Sequence, residues 1–99
     1  MSHRMEKVER SLHETVANYL ITGYKGGIRG LVTVKGVSVS KDLQHAKIFV
    51  SVLGSPEDKE FTSESLSENV LEIQNFVGRN LQMRYCPKLK IVVDTSVEL

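Results

Sequence analysis

The stretch from Val32 to Leu53 constrains this chain most. Its apolar residues alternate with polar ones on both sides of a short break, Ser40-Lys41-Asp42-Leu43-Gln44. Period-two alternation rich in Val and Ile is the pattern of a strand with one buried face. Two such runs joined by a few polar residues predict an antiparallel hairpin, with strands over about 31–40 and 46–53. Val32 and Val34 share one parity, Val37 and Val39 share the other, and Gly36 sits where the parity changes. One extra residue there returns all four valines to one face, so a β-bulge is expected at or beside Gly36. In the second strand Ala46, Ile48, Val50 and Val52 form one face, while Phe49 and Leu53 make the other less than fully polar.

A hairpin of this kind needs something to cover it, and helical patterns stand on both sides. From about 4 to 21, Met5, Val8, Leu12, Val16 and Tyr19 recur at spacings of three and four, one stripe of an amphipathic helix. Ser2 is placed to cap its start, and Gly23 to end it in a left-handed conformation. The glycine-rich stretch 23–30 contains Gly-x-x-Gly twice, with Lys25 and Arg29 inside it. Such a loop clamps a single-stranded backbone in KH domains when it joins two helices. Here it leads from a helix into a strand, so it reads as a flexible connection. Residues 54–60 read as a turn and acidic linker. Leu66, Val70, Ile73, Val77 and Leu81 then mark a helix from about 62 to 83. It has Ser65-Leu66-Ser67-Glu68 as a capping box, Thr62 and Ser63 as competing caps, and Gly78 as its weak point. Leu89-Lys90-Ile91-Val92-Val93 is a third strand. The order helix, strand, strand, helix (or two), strand predicts an α+β two-layer sandwich, a three-stranded sheet with helices on one face.

Ninety-nine residues fit a single domain over 1–99, with an ordered core of about 4–94. Hydrophobic residues at 40% and charged residues at 25% are ordinary for a globular protein, and no apolar run is long enough to span a bilayer. The first residues contain no secretory apolar region, and the single cysteine, Cys86, fits a reducing compartment, so a cytoplasmic location is expected. The net charge of +1 argues against binding polyanions by bulk charge but permits a basic face. Residues 79–99 carry Arg79, Arg84, Lys88 and Lys90 against Asp94 and Glu98.

Catalytic patterns are thin. His3, His13, His45 and Cys86 show no metal-ligand spacing, and no nucleophile elbow, phosphate-binding loop or dinucleotide fingerprint is present. Asp42 reads as turn chemistry, and Cys86 as a small buried side chain. The expectation is no enzyme, no metal, no cofactor and no small-molecule substrate.

Three groups of residues, in order, carry a resemblance. They are Val34-Lys35-Gly36-Val37-Ser38-Val39-Ser40-Lys41-Asp42-Leu43 followed by Ala46-Lys47-Ile48-Phe49-Val50; Arg84-Tyr85-Cys86-Pro87-Lys88-Leu89; and Asp94-Thr95-Ser96. Together they resemble the bacterial ribosome-binding factor A family across nearly the whole chain. The resemblance implies a type II KH-like fold of order α-β-β-α-α-β. It also implies binding to 16S rRNA within the free small (30S) ribosomal subunit and assistance in late rRNA processing and subunit maturation; a monomer is expected. The family's kinked Ala-x-Gly turn between two helices corresponds here to Asn69-Val70-Leu71, without glycine. The chain also ends soon after Ser96, without the longer basic tail of some members.

On such a scaffold Lys41 and Lys47 of the hairpin, Arg79, Arg84, Lys88 and Lys90 of the carboxyl-terminal third, and Arg4, Lys7 and Arg10 of the first helix are the candidate phosphate contacts. Tyr24 and Tyr85 are candidates for stacking on an unpaired base. Basic side chains of this kind meet phosphates on folded RNA without reading bases. Two other functions compete: a small acylphosphatase-like enzyme, and a protein-interaction module using the helix-free sheet face around Phe49 and Leu53. Acylphosphatase-like chains begin with a strand leading into a phosphate-binding turn, whereas this one begins with a helix.

Overall fold

The alternating valines do fold as a hairpin, and the rest of the chain closes over one side of it. The structure is a computed structural model that describes residues 2–81 and 86–94. The elements are α1 (Ser2–Thr22), β1 (Leu31–Val39), β2 (His45–Leu53), α2 (Pro56–Glu68), α3 (Val70–Asn80) and β3 (Lys88–Asp94). The sheet order is β1-β2-β3, with β1 antiparallel and β3 parallel to β2.

The bulge falls where the parity changes. Val34 pairs with Val50 and Gly36 with Phe49, so Lys35 is the extra residue. Val32, Val34, Val37 and Val39 therefore lie opposite Val52, Val50, Ile48 and Ala46, all on the inner face. Leu12 and Val16 of α1, Leu66 of α2, and Ile73 and Val77 of α3 cover that face and are fully buried. Each such side chain contributes about 2 kcal/mol by burial. At the outer edge of β1, the Glu9 carboxylate of α1 accepts the Val39 N–H at 3.0 Å, which satisfies a backbone donor β2 cannot reach.

Several boundaries differ from expectation. Helix α1 starts at Ser2 itself, so Ser2 belongs to the first turn. Gly23 does not turn left-handed; its N–H and that of Tyr24 both bond to the Tyr19 carbonyl at 2.8 Å. The stretch 54–60 is not a linker, because α2 begins at Pro56. Ser55 caps it, its hydroxyl accepting from the Asp58 N–H while the Asp58 carboxylate accepts from the Ser55 N–H. Proline at the first helical position and acids in the first turn favour this start.

The run whose spacing reads as one helix is two, in the α-α order that the resemblance implies. It breaks at Asn69, whose side-chain amide donates to the Ser65 carbonyl at 2.8 Å and terminates α2. Gly78, the expected weak point, stays helical and lets Cys86 approach; a Cβ there would lie 3.7 Å from the Cys86 Cβ.

Thr62 and Ser65 are not caps. Both are buried in mid-helix and hold the glycine-rich loop. The Thr62 hydroxyl accepts from the Arg29 N–H and donates to the Arg29 carbonyl, both at 2.8 Å. The Ser65 hydroxyl donates to the Gly26 carbonyl at 2.9 Å. The loop is thus a pinned connection rather than a flexible one.

Candidate nucleic-acid interface

Among the described residues the outer face of the sheet carries no helix, and its residues follow from the alternation. On β2 these are His45, Lys47, Phe49, Ser51 and Leu53. Parallel pairing of β3 sets Lys88 beside His45, Lys90 beside Lys47, Val92 beside Phe49 and Asp94 beside Ser51. Neighbouring strands lie about 4.8 Å apart, so each pair shares one patch of surface. The result is a basic end (His45, Lys88, Lys47, Lys90), a half-exposed aromatic and aliphatic middle (Phe49, Val92), and an apolar end where Leu31 pairs with Leu53.

The turn that precedes β2 adds one more cation. The Asp42 carboxylate accepts from the Ser40 hydroxyl at 2.6 Å and from the Gln44 N–H at 3.1 Å, while the Ser40 hydroxyl accepts from the His45 N–H at 3.0 Å. The Ser40 hydroxyl, then the Gln44 N–H, hold the Asp42 carboxyl below its ordinary range. Leu43 takes a left-handed conformation (φ 60°) and packs its side chain against the core. With both neighbours engaged, Lys41 is displayed at the tip in solvent. The Ser-Lys-Asp-Leu sequence is therefore a device that builds the turn and presents a lysine.

The structure does not gather all the predicted cations. Lys41, Lys47, Lys88 and Lys90 come together at one end of the open face. Lys7 and Arg10 are exposed on α1, in the helical layer, and Arg10 lines a shallow surface hollow with Glu9, His13, Glu14 and Val37. Arg79 lies in the helical layer too, lining a groove with Lys25. Arg84 and Tyr85 lie outside the described residues, as does the side chain of Arg4. Tyr24 is half-buried against the core, its ring edge-on to that of Tyr19 with centroids 5.9 Å apart. Its hydroxyl is engaged by the Ser65 carbonyl at 2.9 Å, the Ser65 hydroxyl at 2.6 Å and the Asn69 amide at 3.2 Å.

His45 joins the basic row although the sequence marked it only as a strand-edge residue. Its parity with Lys47 was visible; its pairing with Lys88 depends on the direction of β3, which no local pattern states. Cys86 is half-buried, its thiol donates to the Pro87 carbonyl at 3.4 Å, and burial pushes its pKa up, which makes it a poor nucleophile. Among the described residues no three His, Cys, Asp or Glu side chains converge as metal ligands. No described helix is long and apolar enough to cross a membrane.

Comparison with known proteins agrees with this fold. The family model described as "Ribosome-binding factor A" matches residues 4–99. A ribosome-binding factor A of Bdellovibrio bacteriovorus is 43% identical over 95 residues, covering 96% of this chain and 71% of that protein. The crystal structure of ribosome-binding factor A from Thermus thermophilus superposes with a TM-score of 0.72 at 22% identity, over 89% of this chain and 93% of that one. A homology model of the Thermus thermophilus ribosome-binding factor A, as fitted into the cryo-EM map of its complex with the 30S subunit, gives a TM-score of 0.66 at 22% identity, over 94% and 93% of the two chains.

Proposed function

This chain belongs to the ribosome-binding factor A family, and on that premise we propose that it is a cytoplasmic, non-catalytic assembly factor for the small ribosomal subunit. It binds the free small subunit as a monomer, through 16S rRNA, and assists late maturation of that RNA. Lys41, Lys47, Lys88 and Lys90 of the open sheet face meet the RNA backbone. Lys7, Arg10, Arg79 and the side chains of Arg4 and Arg84 extend the contact.

The observation that carries this reading is the register pairing of Lys47 with Lys90 on a sheet face that no described element covers. Like charges directly opposite each other destabilise a sheet. A polyanion laid over them reverses the sign of that cost, since each lysine that neutralises a phosphate releases counterions. Phe49, 38% exposed beside the lysines, adds a ring on which an unpaired base can stack. The Thermus thermophilus relative fitted on the 30S subunit supports the same partner.

Sedimentation of the purified protein with small subunits from a strain lacking it tests the reading. Wild-type protein is expected to travel with free small subunits at low salt and to be released as salt rises. Lys47→Gln with Lys90→Gln is expected to shift release to lower salt. Absence of co-migration at low salt would overturn the proposal.

A further inference from the structure

On the helical side of the molecule, away from the basic sheet face, the carboxyl-terminal end of α1 and one face of α3 enclose a groove of about 410 Å3. Its chemistry is mixed in an orderly way. Glu72, Asn75, Phe76 and Arg79 recur at helical spacing along α3, so they present one continuous face. Tyr19 of α1 and Lys25 of the glycine-rich loop complete the lining.

The Tyr19 and Phe76 rings stack on each other with centroids 4.1 Å apart and planes at 22°. That stack gives the groove a rigid aromatic wall, with Tyr19 buried and Phe76 half-buried. Burial, then the Glu72 carboxylate, push the Tyr19 hydroxyl pKa up, while Arg79 acts in the opposite sense, which places both charges near that hydroxyl. No ion pair joins Glu72 to Lys25 or Arg79 among the described residues, so the carboxylate and both cations remain available to a ligand.

We infer that this groove holds one unpaired guanine nucleotide of a single-stranded RNA segment, its base against Phe76, its Watson–Crick edge on Glu72 and Asn75, and its phosphates at Lys25 and Arg79. Guanine is the base whose Watson–Crick edge presents two adjacent donors, N1–H and the 2-amino group, which a carboxylate accepts together. Its O6 accepts from the Asn75 amide. Adenine would turn a ring-nitrogen lone pair toward the carboxylate, and cytosine and uracil each offer it a single donor. Recognition of splayed bases through their edges and by stacking on aromatic rings is the common mode for single-stranded RNA. The inference rests on the RNA-binding reading above but uses a different face of the molecule.

Titration of the full chain with the pentanucleotides UUGUU and UUAUU, followed by NMR amide shifts, tests it. UUGUU is expected to bind about tenfold more tightly, the scale of one good bidentate base contact, and to shift Asn75, Phe76 and Gly23. Glu72→Gln should erase the preference for guanine, weakening UUGUU and strengthening UUAUU, because the carboxylate that repels the adenine ring nitrogen becomes an amide that can donate to it. Arg79→Gln should weaken both RNAs alike. Both substituted residues are exposed, so the fold should survive. Equal affinities for the two RNAs, or shifts confined to the sheet face, would overturn the guanine site. If the protein still co-sediments with small subunits, that failure leaves the assembly-factor reading standing. Loss of co-sedimentation with the guanine preference intact would do the reverse.

Discussion

Two connections in this molecule each carry an exposed lysine to a surface, and they are held in opposite ways. The turn 40–44 is closed by its own residues: Ser40, Asp42 and Gln44 bond to one another and to His45. The loop 23–30 is closed by α2, through Thr62, Ser65 and Asn69, residues more than thirty positions away. The first presents Lys41 beside the basic sheet face, and the second presents Lys25 at the α1–α3 groove. A locally closed turn survives changes elsewhere in the fold. A loop tied to buried side chains of another helix reports on that helix, so its lysine is only as well placed as α2.

The difference can be broken most sharply at Thr62. It is fully buried, and Thr62→Val leaves the Arg29 N–H and carbonyl without their partner. A loss of about 3 kcal/mol is expected in urea unfolding, together with faster amide exchange across the loop. An unchanged midpoint would show that the loop is not tied to α2. Gly30→Ala comes next. Its φ of +79° is one that L side chains rarely adopt, and an added Cβ would lie 2.5 Å from the Leu53 carbonyl oxygen. A cost of about 2 kcal/mol is expected, measured by the same unfolding curves. Asn69→Ala removes the donor that ends α2 and reaches Tyr24, for a cost of about 1 kcal/mol.

The smallest effect belongs to the self-closed turn. Asp42 is exposed and its folded pKa lies below the ordinary 3.8, so its contribution is fully present above that value and is lost as pH falls through the folded pKa. Asp42→Asn should therefore lower the melting temperature slightly at pH 7, with the gap to wild type closing in acid. A gap that widened in acid would contradict the Ser40 and Gln44 bonds. The same substitution should loosen small-subunit binding by freeing Lys41, without altering exchange in the loop 23–30.

This contrast also explains what could be read from the amino-acid order. The hairpin, the bulge beside Gly36 and the α1 stripe were legible, because each is written in spacings within a few residues of itself. The Ser40–Asp42 turn was legible for the same reason. The α2 cap was missed because Thr62 and Ser65 look like caps, and nothing local says that their hydroxyls are spent on Arg29 and Gly26. The break at Asn69 emerged only from the resemblance, since the apolar stripe of Leu66, Ile73 and Val77 runs through it unchanged. As for the candidate site, Lys41 and Lys47 were within reach of periodicity. The addition of Lys88 and Lys90 to them, and the separation of Arg79 from that group, depend on how β3 docks and on which layer α3 occupies.

The parallel pairing of β2 with β3 has a kinetic consequence. The hairpin closes over a short turn, an event of microseconds, but β3 can dock only after the two-helix crossover has been laid down. Long-range pairing of this kind pays its loop-closure entropy late and slows folding. Lys47 and His45 therefore wait for Lys90 and Lys88, and the complete basic row exists only on chains that have finished folding. An incompletely folded or newly made chain would lack the pairing of Lys47 with Lys90, so on the proposed RNA contact a chain that has not finished folding should bind RNA more weakly than a folded one.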